Sequence, residues 1–325
     1  MICADTPDNI ARAAELLRAG KLVALPTETV YGLGADAANP DAVRQIFAAK
    51  GRPADHPLIV HLADREQLTD WAREIPREAI ALARAFWPGP LTLILKKEAD
   101  VSEVVTGGQD TVGLRVPDHP VALALLRAFG GGVAAPSANR FGRISPTTAQ
   151  HVQEELGESV AMILEGGACD VGIESTILDL SRGEPVILRP GMISRAAMAA
   201  VIGRPVRLKS ETETAPRVSG ALAAHYAPRT PMRLASREEI AAASADCAIL
   251  SHAGESDPGR YAMSIDAPFD AEGYAHDLYA NLRALDAAGA REILVENLPD
   301  DSAWDAVHDR LGRAVAGSGA EDDET

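Results

Sequence analysis

Between Pro7 and Gly20 apolar residues fall at Ile10, Ala13, Ala14, Leu16 and Leu17, the spacing of an amphipathic helix, and a short apolar run from Lys21 to Leu25 follows. Helix then strand is the opening unit, and the chain repeats it. Asn39, Pro40 and Asp41 read as N-cap, first helical residue and acidic first turn, so the pattern predicts a helix over 41–50 that Gly51 stops. Near-continuous apolar runs of the kind buried strands use lie at 57–62, 91–95, 111–116, 133–136, 160–164, 175–180 and 186–188. Helical patterns lie at 63–72, 76–86, 117–129, 147–156 and 195–202, with Trp87-Pro88-Gly89-Pro90 as a rigid break.

From Arg204 to Arg229 the apolar periodicity fades, and the tetrad His225-Tyr226-Ala227-Pro228 is the one feature that stands out there. Strand and helix patterns then alternate from Met232 to about Ala316, including strands at 247–251 and 292–295 and helices at 271–288 and 303–316. The expected organisation is an α/β domain over 1–203, a linker or lid over 204–230, a smaller α/β domain over 231–317 and an acidic, disordered tail over 318–325.

Length and charge narrow the function. At 325 residues the chain is comfortable for two domains, and 46% hydrophobic content fits a folded globular protein. A formal charge of -16 argues against a duplex-binding surface, because nucleic-acid affinity is dominated by clustered Lys and Arg against phosphate. A basic pocket inside the first part stays compatible with that total. Cys3, Cys169 and Cys247 lie far apart with no CxxC pair, so they predict neither a disulfide framework nor a zinc site, and they suit a reducing cytoplasm. No apolar run approaches the length of a membrane span, and a soluble cytoplasmic protein is expected.

Candidate chemistry concentrates where apolar runs end in polar residues. The first strand breaks at Pro26 into Thr27, Glu28 and Thr29, then Tyr31, Gly32 and Gly34, and a strand ending in hydroxyls and glycines lets a ligand approach the backbone. Lys50 and Arg52 flank a turn expected to be exposed. They either complement the negative end of the helix or form a polyanion clamp. Arg115 sits within an apolar strand, where burial is costly without an anion, so a carboxylate or phosphate partner is expected. The run 133–136 delivers Ser137, Ala138 and Asn139 at a carboxyl end, where ligands sit in open α/β sheets. Thr29, Ser145 and Ser175 are neutral hydroxyls that suit substrate hydrogen bonds or turn caps.

Two motifs are decoys. Gly32 to Ala37 matches a dinucleotide fingerprint with Asp55 about twenty residues on, but six residues separate its first glycine from the strand and the helix starts only near Pro40. His56 and His61 are five apart, which on a strand places them on opposite faces, a poor metal pair.

Taken together, PTETVYGLG, KGRP, PLIVHL, WPGPLTLIL, VGLRVP, APSAN, SPTTA, GIESTILDL and ILRPG closely resemble the Sua5/YrdC proteins, the L-threonylcarbamoyladenylate synthases, strongly over residues 8–195. The resemblance continues through HYAP into a region similar to the Sua5 extension. It implies a YrdC-like twisted open sheet with flanking helices plus a Rossmann-like C-terminal domain. It also implies the reaction of L-threonine, bicarbonate and ATP, with Mg2+, to threonylcarbamoyl-AMP and pyrophosphate, the first step of N6-threonylcarbamoylation of adenosine 37 in tRNA. By that similarity, Lys50 with Arg52 and Ser137 with Asn139 form the catalytic signature. Threonine is held by Thr29, His61, Arg115, the backbone at Ala135, and Ser175. ATP meets Arg52, His56, Thr111, Ser137, Ser145, Arg189 and Tyr226, although Asn rather than His is the family expectation at 56. Tyr226 is expected on a segment, 218–228, that folds over the mouth of the first domain, the alternative being that it packs on the C-terminal domain as an anchor.

A carbamate oxygen attacking the α-phosphorus needs positioning and cationic stabilisation rather than a nucleophilic side chain, which suits a chain with no Ser-His or Cys-His constellation. His61 is a candidate base on the threonine amine by its place in the motif. The implied partners are ATP, L-threonine, bicarbonate and a downstream tRNA threonylcarbamoyltransferase complex, with no stable tRNA binding and no membrane. Two other classes are weighed against this one. An RNA-binding module acting on tRNA or ribosomes is opposed by the charge and the 4% aromatic content. A carbamoyl-transfer domain of a larger assembly is opposed by the missing acylphosphatase-like and zinc-finger segments.

Overall fold

The computed structural model describes residues 1–212, 216–220, 222–252 and 259–319, and its backbone contacts divide the chain into two units. The first comprises Met1–Arg140, Pro146–Asp170 and Glu174–Ala221; the second comprises Phe141–Ser145, Val171–Ile173 and Leu222–Thr325. The segment read as a linker is therefore shared between the units, and 320–325 of the acidic tail lie outside the described residues.

The first unit carries an 11-stranded sheet. In chain order its strands are β1 (Ile2–Cys3), β2 (Val23–Leu25), β3 (Gly32–Asp36), β4 (Ile59–His61), β5 (Leu91–Lys96), β6 (Thr111–Arg115), β7 (Val133–Ala134), β8 (Met162–Leu164), β9 (Thr176–Asp179), β10 (Val186–Arg189) and β11 (Arg207–Leu208). The spatial order β1-β8-β2-β3-β7-β4-β6-β5-β9-β10-β11 mixes parallel pairs, such as β4 with β6, and antiparallel pairs, such as β2 with β3.

Helices cover both faces because the buried residues of each strand alternate between two cores. Helices α1 (Pro7–Arg18) and α3 (Pro120–Phe129) bury Ala13, Leu17, Val121, Leu125 and Leu126 with Val23, Leu25 and Val133. Helix α2 (Pro40–Lys50) buries Val43, Ile46 and Phe47 in the core that holds Leu33 and Ala35. The Asn39 side chain caps α2 by accepting from the amides of Asp41 and Ala42, and Gly51 ends it in the left-handed conformation at φ 64°.

Three expectations change. Residues 32–36, to which the apolar pattern assigns no strand, form strand β3 antiparallel to β2, so the glycines of the dinucleotide-like motif sit in a sheet and cannot be a phosphate turn. Residues 63–72 form a 3-10 turn, Arg65–Gln67, and a single α turn, Leu68–Trp71, not one helix. The helix expected from Pro117 begins at Pro120, because His119 caps it through the Val121 amide.

The second unit holds four strands, all parallel: β12 (Met232–Ala235), β13 (Cys247–Ser251), β14 (Met263–Asp266) and β15 (Glu292–Glu296), in the order β12-β15-β13-β14. The helices Ala271–Ala287 and Asp305–Gly317 accompany them, a small Rossmann-like layer arrangement. Strand β14 has no counterpart in the apolar pattern, since three of its four residues are half-buried and the fourth is exposed.

Candidate active site

Most of the candidate side chains fall into three groups in the first unit. The first is built at the end of β6. Arg115, 4% exposed, donates from Nη1 to Thr29 Oγ1 at 2.9 Å and from Nε to the Gly89 carbonyl at 3.3 Å, while Nη2 lies 2.7 Å from Glu28 Oε1. Thr29 Oγ1 is in turn 2.9 Å from Thr27 Oγ1, so the polar set after β2 is tied together by its own hydroxyls. His61 is in register with Arg115 across the parallel β4–β6 pair. Burial first and the Arg115 charge second push the His61 pKa down to about 3, so the imidazole is neutral at physiological pH. A group with so acidic a conjugate acid accepts a hydrogen bond from an amine but does not retain its proton, which weighs against His61 as the base.

The anion expected for Arg115 is thus present within the chain as Glu28, itself 4% exposed, a residue that reasoning from motifs passed over. Its position between two threonines at the break of an apolar run was the available signal.

The second group surrounds Ser175 and Arg189. The Ser175 hydroxyl is 2.8 Å from Thr92 Oγ1, and Arg189 donates to the Ser175 carbonyl from Nε at 3.1 Å and to its hydroxyl from Nη2 at 3.2 Å. Arg189 Nη1 also donates to the Ser219 carbonyl at 3.0 Å, and Arg52 Nη2 donates to Ser219 Oγ at 3.5 Å and to the Pro57 carbonyl at 3.0 Å. The stretch Arg217–Ser219 accordingly lies across both arginines. Gln109 holds its backbone from the other side, and Thr111 with Arg217, Val218 and Ser219 lines a small cleft.

The third group is Lys50, whose Nζ donates to the carbonyls of Ser137 and Asn139, each at 2.5 Å. Here the expectation of an exposed turn is overturned: Lys50 is 3% and Arg52 6% exposed, because α2 drives its last turn under the 137–139 loop. Burial, then the neighbouring Arg52, hold the Lys50 pKa well below the ordinary lysine value. The same two causes lower that of His56, a half-buried residue beside Arg52 and 4.0 Å from Asp55.

The structure therefore brings Thr29, His61 and Arg115 together, Ser175 and Arg189 together with Arg52, and Lys50 together with Ser137 and Asn139. Ala135 is placed by the hydrogen bond its backbone N–H donates to the Ile59 carbonyl at 3.0 Å. Ser145 and Tyr226 belong to the second unit. Tyr226, 1% exposed, lies 5.6 Å from the Tyr279 ring with the Arg310 guanidinium 5.5 Å over its face, which is anchor packing.

Comparison with known proteins shows the family. Residues 15–191 match the Sua5, YciO and YrdC family model described as telomere recombination, and residues 193–316 match the model described as threonylcarbamoyl-AMP synthase, C-terminal domain. The threonylcarbamoyl-AMP synthase of Bacillus subtilis is 42% identical over 95% of this chain and 93% of its own length. The Pyrococcus abyssi enzyme of the same name is 42% identical over 94% of both. The crystal structure of P. abyssi Sua5 complexed with L-threonine superposes with a TM-score of 0.90 at 38% identity, covering 98% of this chain and 99% of that one. With fold, paired signature and both domain models in agreement along the chain, the protein belongs to the two-domain Sua5 branch of the Sua5/YrdC family, the threonylcarbamoyl-AMP synthases.

Proposed function

We propose that the protein joins L-threonine, bicarbonate and ATP into L-threonylcarbamoyl-AMP, releasing pyrophosphate and the water lost when amine and bicarbonate form the carbamate, and hands the product to a tRNA threonylcarbamoyltransferase complex. The observation that carries this reading is the convergence of Arg52 and Arg189 on one segment, Arg217–Ser219, with Lys50 holding the 137–139 loop beside Arg52. Two buried guanidiniums that meet on one backbone stretch are suited to exchange that contact for phosphate oxygens. Arg115, Thr29 and Ser175 take the amino acid, Arg115 through its carboxylate. The buried surroundings exclude water from a carbamate and a mixed anhydride that both hydrolyse.

The carbamate oxygen attacks the α-phosphorus and the bond to the pyrophosphate oxygen breaks. Positive charge from Arg52 and Arg189 compensates the negative charge that grows on the departing group. Mg2+ would enter on the nucleotide phosphates and supply charge neutralisation there. No helix of the described residues is long and apolar enough to cross a membrane.

Pyrophosphate release tests the reading. It is expected to require threonine and bicarbonate together, because the nucleophile is the carbamate they form, with threonylcarbamoyl-AMP identified by mass. Sustained release from ATP with threonine omitted would contradict the assignment.

A further inference from the structure

We infer that Glu28 is the specificity-determining partner of Arg115, the two together forming a buried pair of opposite charges that matches the paired charges of a zwitterionic α-amino acid. This rests on the proposed function, in which Arg115 takes the threonine carboxylate.

Guanidinium carries five N–H donors, and in this site Nε donates to the Gly89 carbonyl and Nη1 to Thr29 Oγ1, while Nη2 stands 2.7 Å from Glu28 Oε1 as a charge contact without a hydrogen bond of good geometry. One N–H on each Nη is left for an incoming carboxylate, in the forked geometry that arginine offers such a group. Those interactions would hold any small carboxylic acid. A site with a lone arginine would therefore take hydroxy acids and amino acids alike.

Glu28 changes that balance. Its side chain is 6% exposed, Oε1 lies 2.7 Å from Arg115 Nη2, and neither carboxylate oxygen accepts a hydrogen bond of good geometry among the described residues. An ionised carboxylate offers about four lone-pair sites, and leaving them unfilled in a buried position is costly. The hydroxyls of Thr27 and Thr29 are turned to each other and to the Val30 carbonyl. The Cys169 thiol lies near Glu28, and burial, the largest cause, with the Glu28 charge next, raises its pKa so that it stays protonated. The unfilled acceptor capacity of Glu28 lies beside Arg115, where the proposed ligand brings three N–H donors on an ammonium group, one bond away from the carbon that bears its carboxylate. Arg115 with Glu28 and carboxylate with ammonium then pair as two opposed dipoles, and the complex buries no net charge.

The test compares two ligands on the full-length protein by calorimetry without ATP: L-threonine and 2,3-dihydroxybutanoate of the same configuration, in which a hydroxyl replaces the ammonium. Wild-type protein is expected to prefer threonine by about tenfold or more. In Glu28→Gln the preference collapses toward unity because threonine affinity falls while that of the hydroxy acid holds. An equal loss for both ligands would mean that Glu28 merely orients Arg115 and would overturn the inference, as would an unchanged preference. Arg115→Lys, by contrast, weakens both ligands, and its failure to do so counts against the site assignment itself. Should Glu28→Gln not fold, the wild-type comparison still decides: equal affinity for the two ligands overturns the role of Glu28, and no affinity for threonine overturns both readings.

Discussion

Lys50 illustrates how a residue legible as chemistry was illegible as structure. Its pairing with Arg52 and the later Ser137 and Asn139 could be read from the chain, but burial could not, because nothing local shows that the end of α2 is covered by a loop 87 residues away. The structural consequence is that Lys50→Ala removes two carbonyl partners from a buried site as well as a cation. It is expected to lower turnover by one to a few orders of magnitude, roughly 2 to 4 kcal/mol, and also to lower the melting temperature, since each orphaned carbonyl costs about 1 to 3 kcal/mol. Steady-state pyrophosphate release and thermal melts check the two effects separately. Arg52→Ala is expected to show the same loss of turnover, and near wild-type activity in either variant would restore the view that these cations serve only the helix end.

His61 supplies a pH dependence at the same scale. Its pKa falls from an ordinary 6.5 in the unfolded chain to about 3 in the folded one, so between those values the unfolded state binds the extra proton. Stability is fully present above pH 6.5 and declines as pH falls toward 3. The contribution is bounded by about 5 kcal/mol. Denaturant titrations of wild type and His61→Gln from pH 4 to 7 are expected to diverge, with the wild-type slope steeper. Parallel slopes would show that the imidazole is not sequestered from solvent as the structure has it.

At the scale of elements, long apolar runs were legible because they report burial directly: β5, β6, β9 and β10 lie where the pattern put them. Strand β3 was hidden because Gly32, Gly34 and Asp36 are poor strand formers and the backbone is chosen by neighbours instead of propensity. A Cβ on Gly34 would lie 3.0 Å from Leu25, Val133 and the Val23 carbonyl, so β3 is glycine-rich to let two strands and a helix layer close on it. Gly34→Val is therefore expected to cost about 1 to 3 kcal/mol despite the better strand propensity of valine. A melting temperature equal to or above wild type would show that the layer can yield. The same reasoning explains Glu28 and Arg115. A strand-end loop brings them together across 87 positions, and periodicity carries no trace of such a pairing.

On the scale of the whole molecule, the residues proposed for the chemistry lie in the first unit apart from Ser145 and Tyr226, and Tyr226 is built into the second. The family resemblance assigns Tyr226 to the nucleotide, whereas its packing beside Tyr279 and under Arg310 is that of an anchor, held at a left-handed φ of 62° that a bulky residue adopts only when its surroundings impose it. Truncation to alanine would confound the two roles, because loss of a buried ring costs about 3 to 5 kcal/mol by itself. Tyr226→Phe separates them, since it keeps the ring packing and removes the hydroxyl. If the hydroxyl meets the nucleotide, KM for ATP is expected to rise several-fold, the equivalent of roughly one hydrogen bond, with wasteful ATP hydrolysis increased and the melting temperature unmoved. Should KM for ATP stay at the wild-type value, Tyr226 acts through packing alone.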